Sequence, residues 1–218
     1  MQIINSLSSF FKTNKQHNVV DADNLIKQIY QNINGFSISQ SSQHRKQYKK
    51  DQESSDPFTY REIHPNTLIA ILDNMEVPKG CFYDLGSGVG KQVVIAAIYN
   101  KFTACIGVEL LPELHQAAEI AKYKSKYILS KRIYEKICFH NQDILDYEIA
   151  KPAVVFMYST CFSNNMLQLL AVKLSCMPRG TKIISVTKKL LADNIKLNSS
   201  QQYEMSWGQA TVHIQEVC

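Results

Sequence analysis

From Pro57 onward, short apolar runs alternate with longer segments whose apolar residues recur at helical spacing. That alternation predicts a helix over Pro65 to Met75, with Pro65 suited to a first-turn position, and then a strand over Cys81 to Leu85. A helix from Val89 to Asn100, a strand from Thr103 to Val108 and a long helix from Pro112 to about Arg132 follow. Ile137 to His140 and Ala153 to Met157 read as short buried strands, and Phe162 to Met177 as a helix ending near Pro178-Arg179-Gly180. Thr181 to Thr187 is a further strand, and Tyr203 to Trp207 with Ala210 to Gln215 form a hairpin across Gly208-Gln209. Strands interleaved with helices predict an α/β fold, a mostly parallel sheet covered on both faces and closed by a C-terminal antiparallel hairpin.

Upstream, Leu25, Ile26, Ile29, Tyr30 and Ile33 give Asp21 to Ile33 the spacing of one amphipathic helix. Ser37 to Ser55 is polar, with His44-Arg45-Lys46 and Lys49-Lys50 set among Ser and Gln, and reads as a linker, lid or docking arm. The chain thus divides into residues 1–55, a helix plus a polar basic linker, and residues 56–218, the α/β domain. Met1 to Val20 carries Lys12 and Lys15 without an acid and reads as a loose or partner-bound leader.

Composition narrows this picture only a little. With 45% hydrophobic and 20% charged residues, the 218-residue chain has the make-up of a soluble globular protein. No apolar run suffices to cross a bilayer, so no membrane is expected as a partner. The net charge of +5 permits nucleic-acid contact without arguing for it. Lys122, Lys124, Lys126, Lys131 and Arg132 read as a solvated helix face rather than an RNA-reading platform. The six cysteines contain no C-x-x-C pair, which favours free thiols inside a cell, in cytoplasm or nucleus, over disulfides or a zinc site.

The chemistry lies at the first strand's end. Phe82-Tyr83-Asp84-Leu85-Gly86-Ser87-Gly88-Val89-Gly90 is a strand followed by a glycine turn, and Gly107-Val108-Glu109 ends the next strand in an acid. Asp84 before the first glycine repels an anion and attracts a cationic sulfonium or ammonium group. Glu109 is placed to accept hydrogen bonds from a ribose diol. Together these features point to S-adenosylmethionine and to methyl transfer. A dinucleotide site shares the βαβ geometry and the distal acid, but its third glycine is replaced here by Lys91. Nucleotide binding and plain helix–strand packing are the alternatives.

Other candidates converge on the carboxyl ends of the same strands, where such sheets bind ligands. Asp143 can accept the exocyclic amine of adenine while Ile144 packs on the ring; a turn cap is the competing role. Tyr60 and Glu62, in Phe58-Thr59-Tyr60-Arg61-Glu62-Ile63, can fold over the sulfonium end. Tyr158, Thr160 and Phe162 can line a channel for an incoming amine, and Trp207 can wall it or lie in the core. No metal is called for.

Taken together, Tyr60-Arg61-Glu62, Asp84-Leu85-Gly86-Ser87-Gly88-Val89-Gly90, Gly107-Val108-Glu109, Asp143, Ser159-Thr160-Cys161-Phe162 and Ser206-Trp207-Gly208 resemble the disruptor-of-telomeric-silencing (DOT-type) lysine methyltransferases. The resemblance runs from about Phe58 to Ile214. It implies a class I, Rossmann-like methyltransferase sheet of seven strands that methylates a lysine amine, best known on a nucleosomal histone. It also implies that Asp84, Gly86, Gly88, Glu109 and Asp143 hold S-adenosyl-L-methionine with help from Tyr60 and Glu62. Tyr158, Phe162 and Trp207 would shape the lysine channel. The chain departs from the histone enzymes at Arg61, where they carry glycine, and at Tyr158-Ser159, where they carry paired asparagine. A protein substrate presenting a lysine, a histone among the candidates, is therefore expected. Rival readings are a methyltransferase of nucleic acid or small molecules, and a non-catalytic donor-binding scaffold.

Overall fold

A computed structural model of the protein describes residues 22–43, 45, 47, 62–205 and 208–218. Its strands are β1 (Cys81–Leu85), β2 (Cys105–Glu109), β3 (Ile137–Asn141), β4 (Pro152–Met157), β5 (Lys182–Val186), β6 (Ile195–Met205) and β7 (Gly208–Val217). They form one seven-stranded sheet in the order β3-β2-β1-β4-β5-β7-β6. The first five strands are mutually parallel, and β7 runs antiparallel to both β5 and β6. The expected class I architecture is therefore the one observed.

The five parallel strands read as apolar runs because helices cover both faces. Along β1 and β4, side chains alternate between two cores. Phe82 and Phe156 join Val93, Leu114 and Phe139 on one face, while Tyr83, Leu85, Val155 and Met157 join Leu170 and Leu174 on the other. The helices are α1 (22–29), α2 (Gly35–Ser41), α3 (Pro65–Asp73), α4 (Lys91–Tyr99), α5 (Pro112–Ile128), α6 (Lys131–Tyr134) and α7 (Asn164–Ser175). Pro65 and Pro112 each open a helix, where the missing N–H costs nothing.

Several expectations are revised. The amphipathic helix expected up to Ile33 stops at residue 29, and Asn32 turns the chain at φ +66°. A second helix, α2, then occupies part of the segment expected to be a polar linker. Its buried positions are themselves polar: Ser39, Ser42 and Arg45 are nearly inaccessible, and Arg45 Nη1 donates to Ser39 Oγ at 3.1 Å. Hydropathy cannot register a core contact made by hydrogen bonds. The long helix expected through Arg132 breaks at Leu129, which is extended, before the short α6. The helix expected from Phe162 begins two residues later, with Ser163 as the N-cap accepting from Met166 N at 3.2 Å. The hairpin arm β6 is much longer than expected because it is an edge strand, mostly exposed and polar.

No helix among the described residues is long and apolar enough to cross a membrane.

Candidate functional site

The carboxyl ends of β1, β2 and β4 lie side by side. Asp84 is in register with Gly107 on β2 and Phe156 on β4, so these three share a sheet face with Tyr158 two residues further on. Asp84 is fully buried, and neither carboxylate oxygen has a hydrogen-bond partner. Burial, followed by the neighbouring Glu109 charge, pushes its carboxyl well above the usual range. Buried polar groups are nearly always paired, so this orphan marks a place for a ligand.

The turn after β1 is built from glycines for identifiable steric reasons. Gly90 sits at φ +82°, and a Cβ there would fall 2.3 Å from Phe139 Cζ. A Cβ on Gly107 would fall 2.7 Å from both Phe139 Cδ1 and Ser87 Oγ. The Phe139 ring thus fills the space under the turn. Gly86 differs, being exposed, with only Phe162 Cζ near its would-be Cβ, at 3.9 Å. Open space beside one glycine and a packed ring under another give the turn an accessible side and a supported side.

Glu109 is buried and braced by the backbone. Its Oε2 accepts Gly88 N–H and its Oε1 accepts Leu111 N–H, each at 2.8 Å. Burial still raises its carboxyl, with the bonds from Leu111 and Gly88 opposing that rise. The acid at the end of β2 is thereby locked to the glycine turn, and each oxygen retains a lone pair for a further donor.

Above the turn, Glu62 Oε2 receives a hydrogen bond from Lys91 Nζ at 2.5 Å. The Lys91 ammonium also stands 5.3 Å from the centroid of the Tyr30 ring. Tyr30 donates its hydroxyl to Val89 O at 3.1 Å, tying the segment after α1 to the turn. At the end of β4, Gln92 Nε2 donates to Tyr158 Oη at 2.9 Å, and the Tyr158 ring meets Phe156 edge-on with centroids 5.1 Å apart. Burial first, then the Asp84 charge, hold the Tyr158 phenol well above its ordinary range.

Phe162 is buried against the Gly86 side of the turn. It follows a 3-10 turn, Ser159–Cys161, whose Ser159 Oγ lies 2.6 Å from both the Val186 and Lys188 carbonyl oxygens and accepts Lys188 N–H at 3.1 Å. Thr160 and Thr187 pair through their hydroxyls at 2.9 Å. Thr187 holds φ +80°, a conformation unusual for a β-branched residue.

Of the residues singled out in the sequence, the fold gathers Glu62, Asp84, Gly86, Gly88, Glu109, Tyr158 and Phe162 around one turn. Asp143 follows β3, and its Oδ1 accepts Leu145 N–H at 2.8 Å, the geometry of a turn cap. Ile144 is buried in the second core. Tyr60 and Trp207 lie outside the described residues. Sequence reasoning missed Tyr30 and Gln92, because nothing local ties a residue of the first helical segment, or a Gln inside an apolar helix, to a distant strand end. The basic run on α5 also differs from expectation: Lys124 Nζ donates to Gln31 O at 2.6 Å. Exposed Tyr123 and Tyr127 stand edge-to-face among its lysines.

Known proteins share this arrangement. A crystal structure of an RNA methyltransferase from Salinibacter ruber in complex with S-adenosyl-L-homocysteine is 21% identical, with a TM-score of 0.53 over 70% of this chain and 89% of that one. The B. subtilis M1A22 tRNA methyltransferase TrmK is 15% identical, with a TM-score of 0.53 over 70% of this chain and 65% of that one. At such identities the likeness is one of fold. The Caenorhabditis elegans protein described as histone-lysine N-methyltransferase, H3 lysine-79 specific, is 32% identical over 148 residues. Those residues are 63% of this chain but only 15% of the relative's length. The family model described as histone methylation protein DOT1 matches residues 35–216, most of the chain. The protein belongs to the DOT1 family of histone methylation proteins.

Proposed function

We propose that this chain is an S-adenosylmethionine-dependent protein-lysine N-methyltransferase, with residues 56–218 as the methyltransferase domain and Tyr30 reaching it from the preceding segment. A histone is the foremost candidate substrate, in keeping with the family and with the C. elegans relative, and nuclear or cytoplasmic action goes with it.

One observation carries the donor assignment: the fully buried, unpartnered Asp84 carboxylate at the lip of a glycine turn. A phosphate-bearing cofactor would be repelled there, whereas a sulfonium and an amino group would be attracted. Asp84, Gly86, Gly88 and Glu62 would hold the charged end, and Glu109 the ribose. Asp143 and Ile144 would frame the adenine, and Tyr60 joins this set by resemblance. When bound, the donor supplies an electrophilic methyl group on a positively charged sulfur.

The chain's own residues have the remaining tasks. A lysine amine must be neutral to attack, and an aromatic channel walled by Tyr158 and Phe162, with Trp207 by resemblance, desolvates it and lowers its pKa. Tyr158 is no phenolate base: it stays protonated at neutral pH and is oriented by Gln92. Much of the rate enhancement then comes from alignment of nitrogen with the methyl group.

The test is incubation of the full chain with labelled donor and nucleosomes, free histones, RNA or cell extract, followed by mass spectrometry. Methylated lysine is expected. Label confined to RNA or a small molecule would refute the lysine assignment.

A further inference from the structure

Lys91 stands where a dinucleotide-binding turn would have its third glycine, at the first position of α4. A cation is electrostatically misplaced there, since a helix N-terminus carries partial positive charge. Nor is Lys91 free in solvent: its side chain is 19% exposed, that of its partner Glu62 is 25% exposed, and the two are 2.5 Å apart. The ammonium is further fixed over the Tyr30 ring. A buried ion pair of this kind is weak evidence for stability, because desolvating both charges offsets their attraction.

Its surroundings suggest another purpose. Asp84, with no partner for either oxygen, lies on the same side of the turn: Glu62 and Asp84 both act on the Tyr30 and Tyr158 phenols. Around one point the fold therefore places an ammonium and the N–H groups of the first turn of α4 next to two carboxylates. That is the electrostatic complement of an α-amino acid zwitterion, whose carboxylate and ammonium sit on one carbon.

We propose that Lys91 reads the α-carboxylate of the donor's amino acid end, and that Glu62 holds Lys91 in position and shares the α-ammonium with Asp84. The inference rests on the donor assignment above and deepens it. In the free protein Lys91 and Glu62 neutralise one another; in the complex each faces the oppositely charged half of the ligand. Nucleosides that carry the sulfur but lack the amino acid should consequently bind much less well.

The experiment is calorimetric titration of the full chain with S-adenosylhomocysteine and with 5′-methylthioadenosine, which lacks the amino acid. Wild type should prefer S-adenosylhomocysteine by about 10-fold or more, as a charge-assisted hydrogen bond predicts. K91M should weaken S-adenosylhomocysteine about 10- to 100-fold while leaving 5′-methylthioadenosine unchanged, and K91R should recover part of the loss. The double variant E62Q/K91M leaves no uncompensated charge, so a loss shared with K91M excludes misfolding as its cause. Wild type binding both ligands, with K91M changing neither or weakening both equally, overturns the Lys91 assignment alone. Wild type binding neither ligand overturns the donor assignment and this inference together.

Discussion

The two sides of the strand-end cleft are built on opposite plans. On the β1–β2 side, Asp84 and Ser87 are buried without partners, and a lysine is lodged at a helix start. On the β4–β5 side, Ser159 bonds two carbonyls and an N–H, Thr160 pairs with Thr187, and Lys188 Nζ caps Phe162 O at 2.8 Å. The first side is left electrostatically incomplete, as suits a ligand that finishes it. The second is complete in itself, as suits a wall that must keep its shape whatever acceptor arrives. Unfavourable burial is thus concentrated where binding energy can offset it.

The sharpest way to break this contrast is at the supported side of the turn. G90A would force a positive φ on alanine and drive its Cβ into the Phe139 ring. The loss should be about 3 kcal/mol, lowering the melting midpoint by roughly 6–12 °C in calorimetry. A midpoint within about 2 °C of wild type would mean the ring yields freely and the turn is not held from below.

D84N should separate stability from binding. Donor affinity should fall about 100-fold in titration calorimetry, the loss expected for a desolvated charge contact. Stability should move the other way. The folded carboxyl of Asp84 is raised, so its contribution is fully present below the unfolded value of about 3.9 and is lost as pH rises through the folded value. The gain of D84N over wild type should therefore be absent in acid and grow with pH. A variant less stable than wild type at pH 8 contradicts the incomplete-site account.

On the opposite wall, S159A should cost about 2 kcal/mol in urea unfolding while leaving S-adenosylhomocysteine affinity within two-fold, about the scatter expected of an indirect effect. Loss of affinity in proportion to stability would merge the two sides into one unit. The smallest effect is expected at Thr187, whose φ of +80° glycine adopts without strain. T187G should gain about 0.5–1 kcal/mol, visible as a rise of a few degrees in melting midpoint.

Legibility in the sequence follows the range of the forces involved. The five parallel strands, the glycine turn and the acids Asp84 and Glu109 were readable because strand burial and turn sterics act over a few residues. The polar helix α2 and the exposed strand β6 were not, since one is buried through hydrogen bonds and the other is held by ladder pairing. The break at Leu129 also escaped, because nothing local forbids helix there.

By itself, the sequence determined the alternation of strands and helices, the need for glycine under a tight turn, and a carboxylate placed to meet a positive charge. These depend on neighbours along the chain. Only the tertiary structure decided that Asp84 would be left without a partner, that Glu62 would reach Lys91 across 29 positions, and that Tyr30 would close over the turn. Pairing and desolvation are set by what arrives from distant segments, and those meet only when the sheet has formed.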